Sequence, residues 1–459
     1  MTSRTAIPPG GTRCPRPGTS PFSIVDELNC YFDSAAEPNN VHLEAWLPGH
    51  LSPQRLRRAV SAVLADVPTA RARRAGGPWW RTRYAWELPP EADLDPVSVT
   101  SWQDDAELDL ARVRFLAAAP ELHRSPPFRL LLAQGAGWDC VILNAHHAAF
   151  DGRSCVRLLS LIANRYTGEQ RRAGPGPGGA DAARTRSTDQ AAAVRAASGA
   201  QATGLSLPVR RTARIARQHE RAHMARRAPG YGLSLLEWPG IPVAEKSRGG
   251  PPVTVNDLLI AALMETIIRW NTTRRRRPAR IRISMPADTR PPGRDDELGN
   301  LSRLCTVSAA PVLPVDPAAV AAQTRRAKST PSPLASPVQM AVAGTPLPVP
   351  CKRGLARLGL RTLGSIGCDS SLLSNLGNVT DPPVFGVLTP VRMWFSTSAH
   401  MPRGLSVGAI TVGGRLRLCF RYRNALLDAA AGKEFAAGYA AALSRLSVVA
   451  GPAGDGTGR

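Results

Sequence analysis

The sequence VILNAHHAAFDG, residues 141–152, combines an apolar run, two adjacent histidines and an Asp-Gly pair. The run up to His147 is apolar enough to predict a buried β-strand, and Asp151-Gly152 predicts a turn directly after it. Neighbouring side chains on a strand point to opposite faces of its sheet. His146 and His147 therefore cannot both project into one pocket, and a metal site built on the two histidines is disfavoured.

A histidine at the end of a strand, just before a tight turn, is well placed to act as a general base. Its ordinary pKa near 6.5 suits proton transfer at neutral pH. Each histidine taken singly is also compatible with a buried residue whose hydrogen bonds are satisfied inside the core. Asp151 taken singly is compatible with the N-cap of the following helix.

The pattern around this stretch alternates strand and helix signals, which predicts an α/β protein. Ser52-Pro53 and Thr254 to Asp257 have the residues that begin helices, the second with capping-box character. The predicted strands are 41–45, 128–134, 138–147, 281–285 and the hairpin 407–412 with 415–422. The predicted helices begin at Ser52, Asp151, Thr254, Asp316 and Asp428.

Composition shifts divide the 459 residues into five parts. We predict a disordered arm at 1–20, an N-terminal α/β domain at 21–166 and a C-terminal α/β domain of similar build at 231–450. The Arg-, Gly- and Ala-rich region 167–230 between them is predicted as a partly disordered crossover linker, and 451–459 as a tail.

The net charge of +23 comes almost entirely from arginine, since only four of the 58 basic residues are lysines. Two readings remain open: a composition bias that places arginine at exposed positions, and a surface that attracts an acidic partner. Nucleic-acid binding is disfavoured because aromatic residues are scarce. No apolar run is long enough to cross a membrane, and no export signal stands at the start, so a cytoplasmic location is expected.

The cysteines are scattered without metal-binding spacing, so neither a zinc site nor disulfide bonds are expected. Four of them stand among apolar residues and are predicted to be small core residues. These four are Cys140, Cys155, Cys305 and Cys419.

Residues 146–152 match the pattern His-His-x-x-x-Asp-Gly, and on this basis the chain resembles the condensation-domain superfamily, which includes chloramphenicol acetyltransferase. Further segments are similar in the same order: 254–261, the Asp-x-Arg segment at 285–290 followed by Gly299-Asn300, and Ser374 to Gly377, which resembles a loop of the second domain. The resemblance covers roughly residues 20 to 450. The Asp-Phe-Gly-Trp-Gly motif of plant acyltransferases is absent, which excludes that branch.

The resemblance implies two chloramphenicol-acetyltransferase-like α/β sandwich domains that form a V, with a tunnel through their interface. It implies that His147 is catalytic and that His146, Asp151, Gly152 and Arg290 are structural at the active site. Asp151 would form a salt bridge with Arg290 of the second domain, and Gly152 would let the backbone pass close to the thioester. The protein itself would bind no metal or resident cofactor.

The function that the resemblance implies is acyl transfer by a stand-alone, monomeric condensation enzyme of specialised-metabolite biosynthesis, such as antibiotic, nonribosomal-peptide or polyketide pathways. The donor would be a phosphopantetheine thioester on an acyl or peptidyl carrier protein, and the acceptor a small hydroxyl or amine compound, giving an ester or an amide. Two alternatives remain open: an acyl-CoA-dependent O-acyltransferase of lipid or wax-ester type, and a non-catalytic domain that docks a carrier protein.

Overall fold

The computed structural model describes residues 19–168, 211–218, 230–243, 252–291, 293–294, 296–329 and 342–450. We call residues 19–168 the N-terminal segment and residues 230–450 the C-terminal segment. The predicted arm, most of the predicted linker and the predicted tail lie outside the described residues, and the predicted domain boundaries stay predictions.

The N-terminal segment alternates helices and strands. Its helices are α1 (Ile24–Phe32), α2 (Pro53–Asp66), α3 (Asp105–Leu116) and α4 (Gly152–Thr167). Its strands are β1 (Thr19–Pro21), β2 (Asn40–Pro48), β3 (Arg73–Arg74), β4 (Ala85–Glu87), β5 (Val97–Ser101), β6 (Phe128–Gln134) and β7 (Trp138–His146).

The C-terminal segment has the same kind of alternation. Its helices are α5 (Val255–Thr273), α6 (Pro317–Ser329), α7 (Val349–Gly367) and α8 (Ala429–Leu446). Its strands are β8 (Tyr231–Trp238), β9 (Ile241–Val243), β10 (Ile281–Asp288), β11 (Ser302–Ala309), β12 (Ser371–Asn378), β13 (Arg392–Ser396), β14 (Leu405–Val412), β15 (Arg415–Arg423) and β16 (Val448–Ala450).

Two larger sheets dominate the described residues. One has the strand order β11-β10-β12-β14-β15-β8 and belongs wholly to the C-terminal segment. The other has the order β13-β2-β7-β6-β5, so that a strand of the C-terminal segment forms the edge of the N-terminal sheet. Arg392 pairs with Trp46 and Ser396 with His42, antiparallel to β2. The two segments are therefore joined by a shared sheet as well as by side-chain packing.

Local signals in the sequence place the predicted elements correctly. Ser52 and Thr254 are N-caps whose side chains accept hydrogen bonds from backbone N–H groups, and Thr254 closes a capping box with Asp257. The hairpin turns at Gly413 and Gly414, both of which have positive φ and therefore suit residues without a Cβ. The four cysteines predicted to be core residues are buried, and the cysteines among the described residues are free thiols.

The arginines of β15 correct one expectation. Both interpretations of the arginine-rich composition place arginine at the surface, but Arg417 and Arg421 are only 3% and 0% exposed. Arg421 Nη2 donates to Asn40 Oδ1 at 2.7 Å, and Arg417 Nη2 donates to the Val391 carbonyl at 3.1 Å. Arg421 therefore links the hairpin to the N-terminal segment, whereas Arg417 bonds within the C-terminal segment, next to the edge strand β13.

Candidate active site

The His-His-x-x-x-Asp-Gly stretch lies where β7 ends and α4 begins. The strand runs to His146, a turn follows, and α4 starts at Gly152 with Asp151 as its N-cap. Asp151 Oδ1 accepts a hydrogen bond from the Ser154 N–H at 2.8 Å. The predicted strand, turn and helix are therefore all present.

His146 is 2% exposed and turns away from solvent. Its Nδ1 accepts a hydrogen bond from the Ala148 N–H at 3.0 Å, and its Nε2 lies 3.6 Å from Asp33 Oδ2. Burial acts to raise the pKa of Asp33, but His146, the Asn39 N–H and Arg353 together outweigh it and lower the pKa. His146 thus ties the turn to the end of α1.

His147 lies on the wall of a cavity of about 560 Å³ to which both segments contribute. Its backbone is fixed on both sides: its N–H donates to the Asn39 carbonyl at 2.9 Å, and its carbonyl accepts from Asn300 Nδ2 at 3.0 Å. Within the described part of the chain, His147 Nδ1 is buried and has no hydrogen-bond partner of normal geometry. Burial lowers the pKa of His147 below its usual 6.5, so the imidazole is neutral at pH 7.

The predicted ion pair between Asp151 and Arg290 is present. Arg290 Nη2 lies 3.0 Å from Asp151 Oδ1, and the two side chains are 2% and 6% exposed. The other carboxylate oxygen of Asp151 accepts from the Leu301 N–H at 2.9 Å. Burial works against the guanidinium charge, but Asp151 and Asp288 outweigh it and raise the pKa of Arg290. This ion pair holds the turn after His147 against the C-terminal segment.

Ser154 and Gly299 extend this contact between the segments. Ser154 Oγ lies 2.7 Å from the Gly299 carbonyl oxygen and 3.0 Å from its N–H, and the Asp151 N–H donates to the same carbonyl at 3.1 Å. Arg290 Nη2 also lies 2.8 Å from Ser154 Oγ. The first turn of α4 and the segment that follows Arg290 therefore form one hydrogen-bonded network.

Gly152 has a packing reason in addition to the one we expected. A Cβ placed on Gly152 would lie 2.7 Å from Leu376 Cδ2 and 2.8 Å from the Phe395 ring, closer than real Cβ atoms come to their neighbours. Gly152 also lines the cavity, as passage close to a substrate requires. Leu376 belongs to the stretch Ser374 to Gly377, which we expected to be a loop. It lies instead within β12, at an irregularity in the pairing with β14.

The cavity is lined by both apolar and polar side chains. The apolar side chains come from α1 and from strands of the C-terminal sheet: Val25, Leu28, Phe32, Leu304, Leu372 and Leu376. The polar and charged lining residues include Asn39, His147, Arg282, Ser284, Asn300, Asp369, Thr397, Ser398, His400 and Arg403. Such a cavity can hold a chain-like apolar group beside a group that forms hydrogen bonds.

Sequence reasoning missed His400 and the contacts of Asn300. His400 follows β13 in a stretch without motif character, so its sequence carries no signal of its place in the cavity. Burial, Arg403 and Arg421 together lower the pKa of His400 to about 3. Asn300 stands in the Gly299-Asn300 pair that supported the resemblance, but its bond to the His147 carbonyl depends on how the segments pack.

Two absences concern the described residues only. No group of three or more His, Cys, Asp and Glu side chains there is arranged to hold a metal ion. None of the helices described there combines the length and hydropathy that a membrane crossing requires.

The amino-acid sequence is similar to two curated proteins. The chain is 31% identical over 448 residues to "Uncharacterized protein Rv2305" and "Uncharacterized protein MT2362", from two strains of Mycobacterium tuberculosis. The match spans 91% of this chain and 97% of each relative. No protein-family model matches the chain.

Among solved structures, the chain is similar to condensation domains over nearly its whole length. The condensation domain of the monacolin K polyketide synthase MokA has a TM-score of 0.64 at 15% identity, covering 93% of this chain and 97% of that one. The first condensation domain of the calcium-dependent antibiotic synthetase, in complex with a substrate analogue, has a TM-score of 0.64 at 16% identity, covering 93% and 96%. The starter condensation domain of the rhizomide synthetase RzmA, in a variant bound to C8-CoA, has a TM-score of 0.60 at 14% identity, covering 93% and 94%.

These likenesses confirm the predicted α/β fold class, with its two chloramphenicol-acetyltransferase-like lobes. The sequence relationship and the shared fold together assign the protein: the chain belongs to the family of the mycobacterial proteins Rv2305 and MT2362 and has the fold of the condensation-domain superfamily.

Proposed function

We propose that the protein is a stand-alone condensation-type acyltransferase that moves an acyl group from a phosphopantetheine thioester to a hydroxyl or amine acceptor. One observation carries the proposal. A neutral histidine, His147, lies on the wall of a cavity between the segments, on a turn that the buried Asp151–Arg290 pair holds in place. A histidine in this state can accept a proton at neutral pH.

A neutral imidazole carries one ring proton, and the nitrogen without this proton acts as the base. The carbonyl groups of His147 itself and of Phe150 lie near the ring and favour its protonated form. A hydrogen kept on Nδ1, facing these carbonyls, leaves the lone pair of Nε2 free. In the proposed step, His147 Nε2 takes the proton of the acceptor hydroxyl group. At the same time, the oxygen of this hydroxyl group attacks the thioester carbonyl carbon. The C–S bond then breaks, and the imidazolium returns the proton to the departing thiolate.

Positioning supplies much of the remaining catalysis, because a thioester carbonyl is already activated. In this proposal the cavity holds both reactants. The backbone contacts of His147 with Asn39 and Asn300 keep the base at a fixed place on the cavity wall. An amine acceptor that enters unprotonated needs His147 chiefly for orientation. Neither a covalent intermediate on a Ser or Cys nor a metal-bound group enters this step.

Two features support a thioester donor. RzmA, which shares the fold, is described in complex with C8-CoA. The net charge of +23 suits an acidic carrier protein, because opposite charge accelerates encounter. The carrier-protein partner, a monomeric state, a cytoplasmic location and a role in specialised-metabolite biosynthesis belong to the same proposal. Free acyl-CoA is the alternative donor, in a lipid or wax-ester enzyme.

An intact-mass assay tests the proposal. The purified protein is offered octanoyl-CoA or an octanoyl carrier protein together with a panel of alcohols and amines. We expect an ester or amide product with the wild type, and a rate lower by about 10² to 10⁴ for His147→Ala, the range for losing a general base. His123→Ala is the control, because the His123 side chain is 58% exposed and lies outside the cavity lining.

Two outcomes of this assay would contradict the proposal. Equal rates for the wild type and His147→Ala, with both variants folded by circular dichroism, would remove the catalytic role of His147. Binding of the octanoyl carrier protein without any product would favour the non-catalytic docking domain.

A further inference from the structure

Several buried polar atoms that line the cavity have no hydrogen-bond partner. Among the described residues, four cavity-lining side chains other than the base His147 have buried nitrogen or oxygen atoms without a hydrogen-bond partner. The atoms are Asn300 Oδ1, Thr397 Oγ1, both ring nitrogens of His400, and Arg403 Nε. Folded proteins pair the large majority of buried polar atoms. A group of exceptions around one cavity therefore indicates the place where a ligand supplies the partners.

His400 makes the strongest case. Both of its ring nitrogens lack a partner, although its side chain is only 19% exposed. The nearest carboxylate oxygen, Glu37 Oε2, is 4.0 Å from Nδ1, which is too far for a hydrogen bond. The other charged groups that act on the ring are Asp33, Arg403 and Arg421. The imidazole is neutral, so it offers one donor and one acceptor to whatever occupies the cavity.

The segment 397–403 lies beside the base. Ser398 Oγ donates to Asn39 Oδ1 at 2.6 Å, and the Asn39 carbonyl accepts the N–H of His147 at 2.9 Å. His147, Thr397 and His400 also line the same cavity. A molecule in this cavity that gives its proton to His147 can therefore extend to Thr397 and His400. In the proposed reaction that molecule is the acceptor.

We propose that Thr397, His400 and Arg403 bind the acceptor, and that the acceptor carries at least one polar group besides the one that is acylated. Polyols, sugars and hydroxy acids meet this requirement, whereas a simple fatty alcohol does not. The inference rests on the proposed acyl transfer and specifies its acceptor. It disfavours the wax-ester alternative, because an alkyl chain on this wall would leave buried donors and acceptors unpaired.

The melting temperature distinguishes a binding role of Thr397 from a purely structural one. Thr397 Oγ1 makes no hydrogen bond, so Thr397→Val removes an unsatisfied group at nearly constant volume and should leave the melting temperature unchanged or raised. Thr266 is a matched control. It is also buried, but its Oγ1 donates to the Ala262 carbonyl at 2.6 Å, so Thr266→Val should lower the melting temperature.

The test compares 1-hexanol with 1,2-hexanediol and 1,2,6-hexanetriol as acceptors and octanoyl-CoA as the donor. We expect the wild type to use the diol or the triol at least about tenfold better in kcat/KM than hexanol. His400→Leu and Thr397→Val should abolish this preference, mainly by raising KM for the polyol. Thr266→Val should keep it.

Three outcomes would overturn the inference while acyl transfer itself stands: equal use of hexanol and the polyols, an unchanged preference in His400→Leu and Thr397→Val, or a changed KM for octanoyl-CoA alone. Absence of transfer to every acceptor would instead overturn the proposed function. In that case, ligand-observed NMR with 1,2,6-hexanetriol and hexanol decides the inference. Triol binding that is lost in His400→Leu supports it, and equal or absent binding of the two compounds overturns it.

Discussion

The ion pair between Asp151 and Arg290 should be energetically coupled across the two segments. The Asp151 carboxylate receives three hydrogen bonds, from Arg290 Nη2 at 3.0 Å, Leu301 N at 2.9 Å and Ser154 N at 2.8 Å. Asp151→Asn keeps the shape of the side chain but removes its charge. Arg290→Met removes the guanidinium and leaves a carboxylate that is 6% exposed with backbone donors only.

The expected magnitude follows from burial. Removing one partner of a buried pair costs about 3–5 kcal/mol, because the other charge is stranded. Arg290 keeps a second carboxylate, since Asp288 Oδ1 lies 3.0 Å from its Nη1. We therefore expect the lower end, about 3 kcal/mol, for Asp151→Asn, which corresponds to a melting temperature lower by about 6–12 °C for a domain of roughly 200 residues. The double variant should cost less than the sum of the single variants by about 1–3 kcal/mol.

A double-mutant cycle measured by urea unfolding tests this coupling. Asp288→Asn is the control: its side chain is 27% exposed, and its removal leaves the Asp151–Arg290 pair intact, so it should cost about 1 kcal/mol or less. A coupling energy below about 0.5 kcal/mol between positions 151 and 290 would refute the reasoning, because distant and independent sites give the same result.

Four further predictions concern single positions. The acid limb of kcat/KM against pH should have its midpoint below pH 6.5, because burial lowers the pKa of His147 and only the neutral imidazole accepts a proton. A midpoint above pH 7 would contradict the assignment of His147 as the base. His146→Ala should lower the unfolding free energy by about 1–3 kcal/mol, since the Ala148 N–H loses its acceptor. Circular dichroism should show that the variant still folds, and the intact-mass assay that it still transfers acyl groups. The folded-state pKa of His400 is about 3, so below pH 6.5 the unfolded chain binds a proton that the folded protein does not, and stability falls as the pH is lowered. His400→Gln should therefore reduce the loss of unfolding free energy between pH 7 and pH 5 by about 2 kcal/mol. An equal loss in the wild type and in His400→Gln would exclude this linkage. Arg157→Glu reverses a charge outside the cavity lining, where Arg157 Nη2 lies 3.0 Å from Asp296 Oδ1, and should raise the KM for an acyl carrier protein more than for octanoyl-CoA. The same change for both donors would favour free acyl-CoA.

The elements that the sequence predicts well are those encoded by neighbouring residues. The strand before His146, the turn and the helix after Asp151 are each visible in a few consecutive side chains, and so is the capping box at Thr254. Asp151 shows that two interpretations of one residue can both hold. It caps α4 through the Ser154 N–H and pairs with Arg290 through the same oxygen.

The features that were missed depend on contacts between distant parts of the chain. The pattern of β15 separates its two faces correctly, but alternation does not tell which face a second layer covers. Arg421 is fully buried because it bonds Asn40, which stands 381 positions earlier. Leu376 was expected in a loop because residues 374–377 resemble a loop of the superfamily's second domain. Pairing with β14 instead makes this stretch a strand with an irregularity.

The motif alone does not make the site. His147 and Asp151 belong to the N-terminal segment, but the carbonyl of His147 is held by Asn300, and the carboxylate of Asp151 by Arg290 and Leu301. The neighbouring edge of the N-terminal sheet is also supplied by the C-terminal segment, as β13. A movement that separated the segments would therefore release the turn that carries the base and open the cavity at once. The position of His147, and with it any acyl transfer, depends on the packing of the two segments as much as on the seven residues of the motif.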